Sequence, residues 1–275
     1  MAELRHDPMT GRWVAVAPAR ASRPGAAERA ADSAAECPFC AGHEERTPPE
    51  TLRLGDGPTG WQVRVVPNLY PALERQEVVI HGPEHVHSFG ALDDSAIDLV
   101  AEAWRRRAHD IGGFCFPILN EGREAGSSLP HSHSQLAWLP APAPLAVAER
   151  GMPETVEVLE RDGLTAGCPV ASRVPYELLI APSAAEADGL RSELLAPALR
   201  LLAELIRRLQ QIHGSELVPL NAWLHDGPHW HLEVFPRTTR LAGLELGAGV
   251  YIDSVAPEEA AAELRAAGGV SNLIR

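Results

Sequence analysis

Hydrophobic residues recur along this chain with two periods, and the switches between them outline its elements. Arg12 to Ala17 and Trp61 to Val66 are runs of β-branched and aromatic residues at strand length. Glu77-Val78-Val79-Ile80-His81 is a third such run, ended by Gly82-Pro83. The period then lengthens: Ile97, Val100, Ala101, Trp104 and Ala108 share one helical face. Asp93 or Asp94 supplies an N-cap for this helix and Gly112 its stop. Phe114 to Leu119 predicts a buried strand, Asn120 to Pro130 a Gly- and Ser-containing loop, and His131 to Leu139 another strand. Arg20 to Glu36, rich in Ala, Arg, Pro and Ser, reads as a mobile loop. Pro140 to Pro144 alternates Pro with Ala and reads as a semi-rigid break.

The order then repeats. Tyr176 to Ile180 predicts a strand stopped by Pro182. Leu194, Leu195, Leu202, Leu205, Ile206 and Leu209 mark the apolar side of a helix between Leu190 and His213, in which Pro197 predicts a kink or a later start. Gly214 is a plausible C′ residue. Leu220 to Leu224 and His229 to Phe235 predict two more strands around a turn at 225–228. Pro257 opens a last helix, with Gly268-Gly269 after its end. Both halves carry Glu-hydrophobic-hydrophobic-Ile before the helix and His-x-His followed by an apolar run after it. The pattern is an internal duplication of α+β type, with the break after residue 140 separating domains 1–140 and 141–275.

Composition narrows the function classes. The formal charge is −13, which argues against non-specific nucleic-acid binding, a role that requires a basic face. Every basic residue is Arg; without a single Lys, Schiff-base chemistry and a Walker-A lysine are excluded. No run of apolar residues is long enough to span a membrane, and Met1 to Thr10 carries charges where a signal peptide would be apolar. Four cysteines are too few for a disulfide scaffold in a chain of this length, so a cytoplasmic setting is expected.

Candidate chemistry concentrates in His131-Ser132-His133-Ser134-Gln135. On a strand, His131, His133 and Gln135 share one face and the two serines the other. Two imidazoles and an amide suit a site handling phosphate, because a neutral imidazole with a pKa of about 6.5 is a competent nucleophile. A solvated polar face or a metal pair would use the same row. Asn120, Gly122, Gly126, Ser127 and Ser128 precede it and offer backbone N–H groups and hydroxyls to an anion. Cys37-Pro38-Phe39-Cys40 is half of a zinc site whose other ligands lie among His43, His81, His85, His87 and His131; two unlinked cysteines in a loop are the alternative. In the second copy, Glu233 takes the place of Gln135. With His225 and His231 it suits Zn²⁺ or Fe²⁺, or else a hydrogen-bonded structural row. Asn68 either reads a base edge or caps the turn before Pro71. Arg64, Arg123 or Arg237 must offset the acidic charge near a phosphate site.

Taken in order, these motifs resemble the galactose-1-phosphate uridylyltransferase family of the histidine-triad superfamily. The resemblance runs from Arg5-x-Asp7-Pro8 through Arg23-Pro24, Cys37-x-x-Cys40, Pro67-Asn68-x-Tyr70-Pro71, Pro83-Glu84-His85 and His131–Gln135 to Ala242-Gly243-x-Glu245. It implies two histidine-triad-like domains sharing an antiparallel sheet flanked by helices, in a homodimer. It implies a nucleotidyltransferase in which His133 attacks the α-phosphorus of a nucleotide sugar and Gln135 contacts the phosphoryl oxygens. Asn68, Asn120, Ser127 and Ser128 would line the substrate site, and Arg20 or Arg23 would reach a neighbouring subunit's site. Zinc would sit on Cys37, Cys40, His85 and His131, and a second metal, iron or zinc, on His225, His231 and Glu233. UDP-glucose with galactose 1-phosphate is the leading substrate pair. ADP-glucose with inorganic phosphate is the second, favoured by the tail Leu244 to Asp253. A hydrolase and a non-catalytic nucleotide-binding protein are the remaining alternatives. The chain departs from the family's His-Pro-His at Ser132, which loses the fixed φ of proline.

Overall fold

The computed structural model describes residues 3–18, 20, 33–140 and 152–270. The reading of 20–36 as a loop therefore lies largely outside the described residues, as does most of the Pro-Ala break. The strands are β1 (Glu3–His6), β2 (Trp13–Val16), β3 (Leu52–Leu54), β4 (Val63–Pro67), β5 (Gln76–Ile80), β6 (Phe114–Glu121) and β7 (His133–Leu139) in the first half. They continue with β8 (Thr155–Arg161), β9 (Leu164–Pro169), β10 (Leu178–Pro182), β11 (Leu220–His225) and β12 (His231–Pro236). The helices are α1 (Asp94–Ile111), α2 (Leu195–His213), α3 (Gly243–Ala248) and α4 (Pro257–Val270). No helix among the described residues is long and apolar enough to cross a membrane.

β1 and β2 form a separate hairpin. The other ten strands make one sheet in the order β3-β4-β5-β7-β6-β11-β12-β10-β9-β8, and every neighbouring pair is antiparallel. The list reads as five strands followed by the same five in reverse. A pseudo-twofold axis passes through the central β6·β11 pair: Ile118 faces Trp223 across it. Ile118 also pairs with Gln135, and Trp223 pairs with Glu233. By this register Asn120, two residues beyond Ile118, corresponds to His225. The two halves slip by one residue elsewhere. Val78 pairs with Gln135 but Leu179, not Leu178, pairs with Glu233, so Glu77 and Glu177 are not equivalent.

Alternation sets the layers. In β6 the buried positions are Cys115, Pro117, Leu119 and Glu121, every second residue. They face one large core with α1, α2 and α4, which holds Trp104, Leu136, Leu178, Ile180, Leu199, Leu202 and Leu264. α1 starts where the Asp93 carboxylate accepts the Ala96 N–H, and ends at Gly112 with φ 67°. Glu77, buried, accepts two hydrogen bonds from Arg107 at 2.8 and 2.9 Å, which ties α1 to β5. A smaller cluster of Cys37, Phe39, Cys40, Trp61, Val66, Val78 and Ile80 covers part of the opposite face of the first half.

Several boundaries differ from the sequence expectation. β7 begins at His133, so His131 and Ser132 precede the regular ladder. β10 begins at Leu178 and includes Pro182, because Tyr176 adopts φ 61° and breaks the strand before it. α2 starts late, placing Pro197 in its first turn, where its missing N–H costs nothing. Gly268 and Gly269 lie inside α4 rather than after it. A Cβ at 268 would run into the guanidinium of Arg208, which donates to the Leu264 carbonyl at 3.0 Å.

Candidate active site

His133 opens β7 on the sheet face away from the helices and is 7 % exposed. Its Nδ1–H donates to the His131 carbonyl at 2.8 Å. That bond fixes the tautomer and leaves the lone pair on Nε2. The Phe39 ring stands edge-on to both His131 and His133, with centroids 5.9 and 5.3 Å away. The two imidazoles therefore share a face, as alternation predicts. A cleft beside them is lined by His87, Asn120, Gly122, Ser127, Pro130 and His133.

Gln135 follows on the same face. Its Oε1 accepts from Asn68 Nδ2 at 3.3 Å and from Gln76 Nε2 at 2.6 Å. Two donors on the oxygen leave the amide N–H₂ as the group to offer a phosphoryl oxygen. Asn68 is held in turn, its Oδ1 accepting the Tyr70 N–H at 2.9 Å. Asn68 thus both caps the turn before Pro71 and orients Gln135. Arg20 donates to the Tyr70 carbonyl at 2.9 Å, bracing the same turn from within its own chain; Arg23 lies outside the described residues. Ser127 donates to the Leu129 carbonyl at 2.8 Å and lines the cleft, whereas Ser128 is exposed and is not among the lining residues. Asn120 accepts from Asn221 of the second half at 2.7 Å. Gly122, at φ 81°, packs against Pro219, where a Cβ would meet backbone at 3.0 Å. Arg64 is committed elsewhere, to Glu50 at 2.7 Å and Thr47 at 3.1 Å.

The Cys37-x-x-Cys40 turn closes over this face. Cys37, Cys40, His85 and His131 bring one ligand atom each to within 4.8 Å of the others. The sulfur-to-Nδ1 distances are 3.5 Å for Cys37–His131, 3.6 Å for Cys40–His131 and 3.3 Å for Cys40–His85. A tetrahedral Zn²⁺ with ordinary Zn–S and Zn–N bonds has sulfur–nitrogen edges of about 3.5 Å, so the donor set fits a metal. The surrounding bonds agree: His131 Nε2–H donates to the Gly82 carbonyl at 3.0 Å, turning its Nδ1 lone pair inward. Burial holds the His131 pKa down at about 4, in the neutral, ligating form. Burial and the neighbouring Cys37 push the Cys40 thiol up to about 12, so two thiolates here require a cation between them. Of the other histidines considered as ligands, His43 donates to the Cys37 carbonyl at 2.7 Å, and His81 lies on the helix side of the sheet.

The pseudo-twofold axis places a second polar cluster opposite the first. His231 Nδ1–H donates to the His229 carbonyl at 2.9 Å, repeating the His133 arrangement. His225, His231 and Glu233 bring one ligand atom each to within 4.8 Å of one another. His225 Nε2 lies 2.7 Å from Glu233 Oε2, and Arg173 bridges Glu233 and Glu177. Burial raises the Glu233 pKa; the His225 bond and Arg173 outweigh it and lower the pKa overall. Where the first site presents Asn120, His133 and Gln135, the second presents His225, His231 and a carboxylate.

Comparison with known proteins accounts for the pairing. No family model matches the chain. It is 29 % identical to an ADP-glucose phosphorylase of Arabidopsis thaliana over 96 % of this chain and 92 % of the relative. It is 26 % identical to a galactose-1-phosphate uridylyltransferase of Thermotoga maritima over 96 % of this chain and 98 % of the relative. The crystal structure of an Arabidopsis thaliana ADP-glucose phosphorylase with bound ADP-glucose superposes with a TM-score of 0.74 at 27 % identity, covering 96 % of this chain and 99 % of that one. The chain resembles the galactose-1-phosphate uridylyltransferase family along nearly its whole length. Its α+β fold, two similar halves on one antiparallel sheet, matches these relatives and is consistent with the histidine-triad-like fold. Both sequence alignments run over more than 300 positions, longer than the 275 residues here, so these relatives carry insertions that this chain lacks.

Three contributors escaped the sequence reading. Phe39 is given no role of its own in the Cys37-x-x-Cys40 motif, and Gln76 lies one residue outside the predicted strand. His81 was considered only as a metal ligand. In each case the role depends on contacts across strands that no local pattern reports.

Proposed function

We propose that this protein is a nucleotidyltransferase working through a nucleotidyl group carried on His133. The observation that supports it best is the His133 Nδ1–H bond to the His131 carbonyl, beside the Gln135 amide, whose oxygen is taken up by Asn68 and Gln76. Nε2 attacks the α-phosphorus of a nucleoside-diphosphate hexose, the bond from that phosphorus to the bridging oxygen breaks, and sugar 1-phosphate departs. The imidazole, now bonded to phosphorus at Nε2 and protonated at Nδ1, is cationic, and the His131 carbonyl stabilises it. An acceptor phosphate oxygen then attacks the same phosphorus and Nε2 leaves as a neutral imidazole. Gln135 donates to the phosphoryl oxygens throughout. Asn68, Asn120 and Ser127 are assigned to the substrate pocket.

Zn²⁺ on Cys37, Cys40, His85 and His131 would supply a structural cross-link that fixes the His131 carbonyl. His225, His231 and Glu233 are assigned to a second metal, iron or zinc. Residues 1–140 and 141–275 are the two domains, and the active form is a homodimer. A cytoplasmic setting accords with four buried cysteines and no disulfide.

UDP-glucose with galactose 1-phosphate is the leading donor and acceptor. One observation favours ADP-glucose with inorganic phosphate instead: identity to the Arabidopsis phosphorylase is 29 %, against 26 % for the Thermotoga uridylyltransferase. Incubation with each donor separately, without acceptor, followed by intact mass, distinguishes them. A uridylyl adduct assigns the first pair and an adenylyl adduct the second. His133→Gly should form neither while keeping its fold; full activity in that variant removes the mechanism.

A further inference from the structure

The serine between the two histidines is tied at three points. Its N–H donates to the Val86 carbonyl at 2.6 Å, and its own carbonyl accepts the His81 N–H at 3.2 Å. Its hydroxyl lies 2.9 Å from His81 Nδ1. The other nitrogen of the same ring lies 2.8 Å from the Ser134 hydroxyl, which also accepts the Trp104 indole N–H at 2.9 Å. His81 is 1 % exposed and packs edge-on against Phe89 with ring centroids 5.2 Å apart. A neutral imidazole has one donor and one acceptor nitrogen, and the hydroxyls of Ser132 and Ser134 can satisfy both. Burial holds the ring neutral, with a pKa well below the ordinary histidine value.

This network lies directly behind the nucleophile. Ser132 and Ser134 flank His133 in sequence and point to the helix side, while His133 points to the cleft. The regular ladder between β5 and β7 reaches only to the Ile80–His133 pair. Beyond it the chain depends on the bonds of Ser132, and the His131 carbonyl that orients His133 lies in this stretch. We propose that His81 is a positioning residue for His133, gripping the strand on both sides of the nucleophile through the Ser132 and Ser134 hydroxyls. A proline at 132 would fix φ by its ring, yet it would lose both the Val86 bond and the grip of His81. Ser132 is thus a different solution to the same constraint, not a weakened one. The inference rests on His133 being the nucleophile.

The test compares wild type, His81→Phe and Ser132→Ala in single-turnover adduct formation, with the donor that labels wild type. Phenylalanine keeps the ring packing and removes both hydroxyl contacts. Ser132→Ala removes one and leaves Ser134 and Trp104 in place, so it serves if His81→Phe fails to fold. Loss of alignment at a reacting atom costs up to about 100-fold. The expected result is a 10- to 100-fold slower adduct rate with unchanged donor affinity. In a His133→Gly background, with free imidazole as nucleophile, the same variants should have no further effect, because nothing is left to align. Wild-type rates in both variants overturn the inference. So does an equal loss in the imidazole-supplied reaction, which would mark a general structural defect. Absence of any adduct in wild type instead removes the proposed function.

Discussion

Replacing Gln135 by Glu converts the first site into a chemical likeness of its pseudo-symmetric partner. The side chain keeps its shape, and the Asn68 and Gln76 amides, at 3.3 and 2.6 Å from Oε1, can still donate to a carboxylate oxygen. The fold is therefore expected to survive. What changes is the other end: an N–H₂ facing the phosphoryl group becomes an oxygen bearing negative charge. Two unit charges about 4 Å apart at an effective dielectric of about 20 repel by about 4 kcal/mol. At about 1.4 kcal/mol per tenfold, that is roughly a thousandfold in the rate of nucleotidyl transfer to His133. The assay is rapid-quench measurement of the covalent adduct under single-turnover conditions, with thermal melting as a control for folding. A Gln135→Glu variant that melts like wild type and labels within about tenfold of its rate would refute the assignment of Gln135 to the phosphoryl oxygens.

Protein purified without chelator should contain one tightly held metal at Cys37, Cys40, His85 and His131, and Cys40→Ser should lose it and melt at lower temperature; elemental analysis and melting curves decide. Gln135→His should gain hydrolysis of the nucleotidyl adduct, read as nucleoside monophosphate released without acceptor. Arg107→Met strands the Glu77 carboxylate at 5 % exposure and should cost about 3–5 kcal/mol in urea unfolding; adding Glu77→Gln should restore much of it. Burial raises the Glu121 pKa from 4.5 to about 7, against donation from Phe89 N–H and Ser88 Oγ–H. A carboxyl whose folded pKa is raised favours the native state at low pH and loses that contribution as pH rises from 4.5 towards 7. Stability of Glu121→Gln relative to wild type should therefore increase across that window; a constant difference would show that Glu121 titrates normally.

The duplication was legible because a helix between strands, followed by His-x-His, leaves a pattern on each copy. What stayed hidden lay between distant segments or depended on one backbone angle. The β8–β9 hairpin went unread although Asp162-Gly163 between alternating residues is a strong two-residue turn signal; both adopt positive φ, 54° and 79°. The one-residue slip between Glu77 and Glu177 appears only in the strand register, and Tyr176 beside it carries no local cue for its left-handed conformation. Gly268 and Gly269 looked like a helix stop because a glycine needed for clearance under Arg208 looks the same in sequence as one needed for a turn. Shared facing of His131 and His133 followed from alternation alone. Their proposed division into metal ligand and nucleophile does not: it depends on which ring nitrogen meets a backbone carbonyl.

The central β6·β11 pairing has a consequence for how the chain can be divided. Each half has its outermost strand at the far end of the sheet, while its inner edge is covered solely by the other half, through pairs such as Asn120 with Asn221 and Leu119 with Ala222. Cleaving the connection and expressing one half alone would uncover Ile118 to Glu121 of β6 or Leu220 to Trp223 of β11 as open, unpaired edge. Such an edge recruits whatever strand is available. Because the two edges are related by a twofold, the partner best matched in direction is another copy of the same half. Liberated halves should therefore reassemble edge to edge as homodimers with a continuous sheet. Co-expressed halves would then compete between that product and the native pairing, with Asn120, His133 and Gln135 in every site of one product and only half the sites of the other.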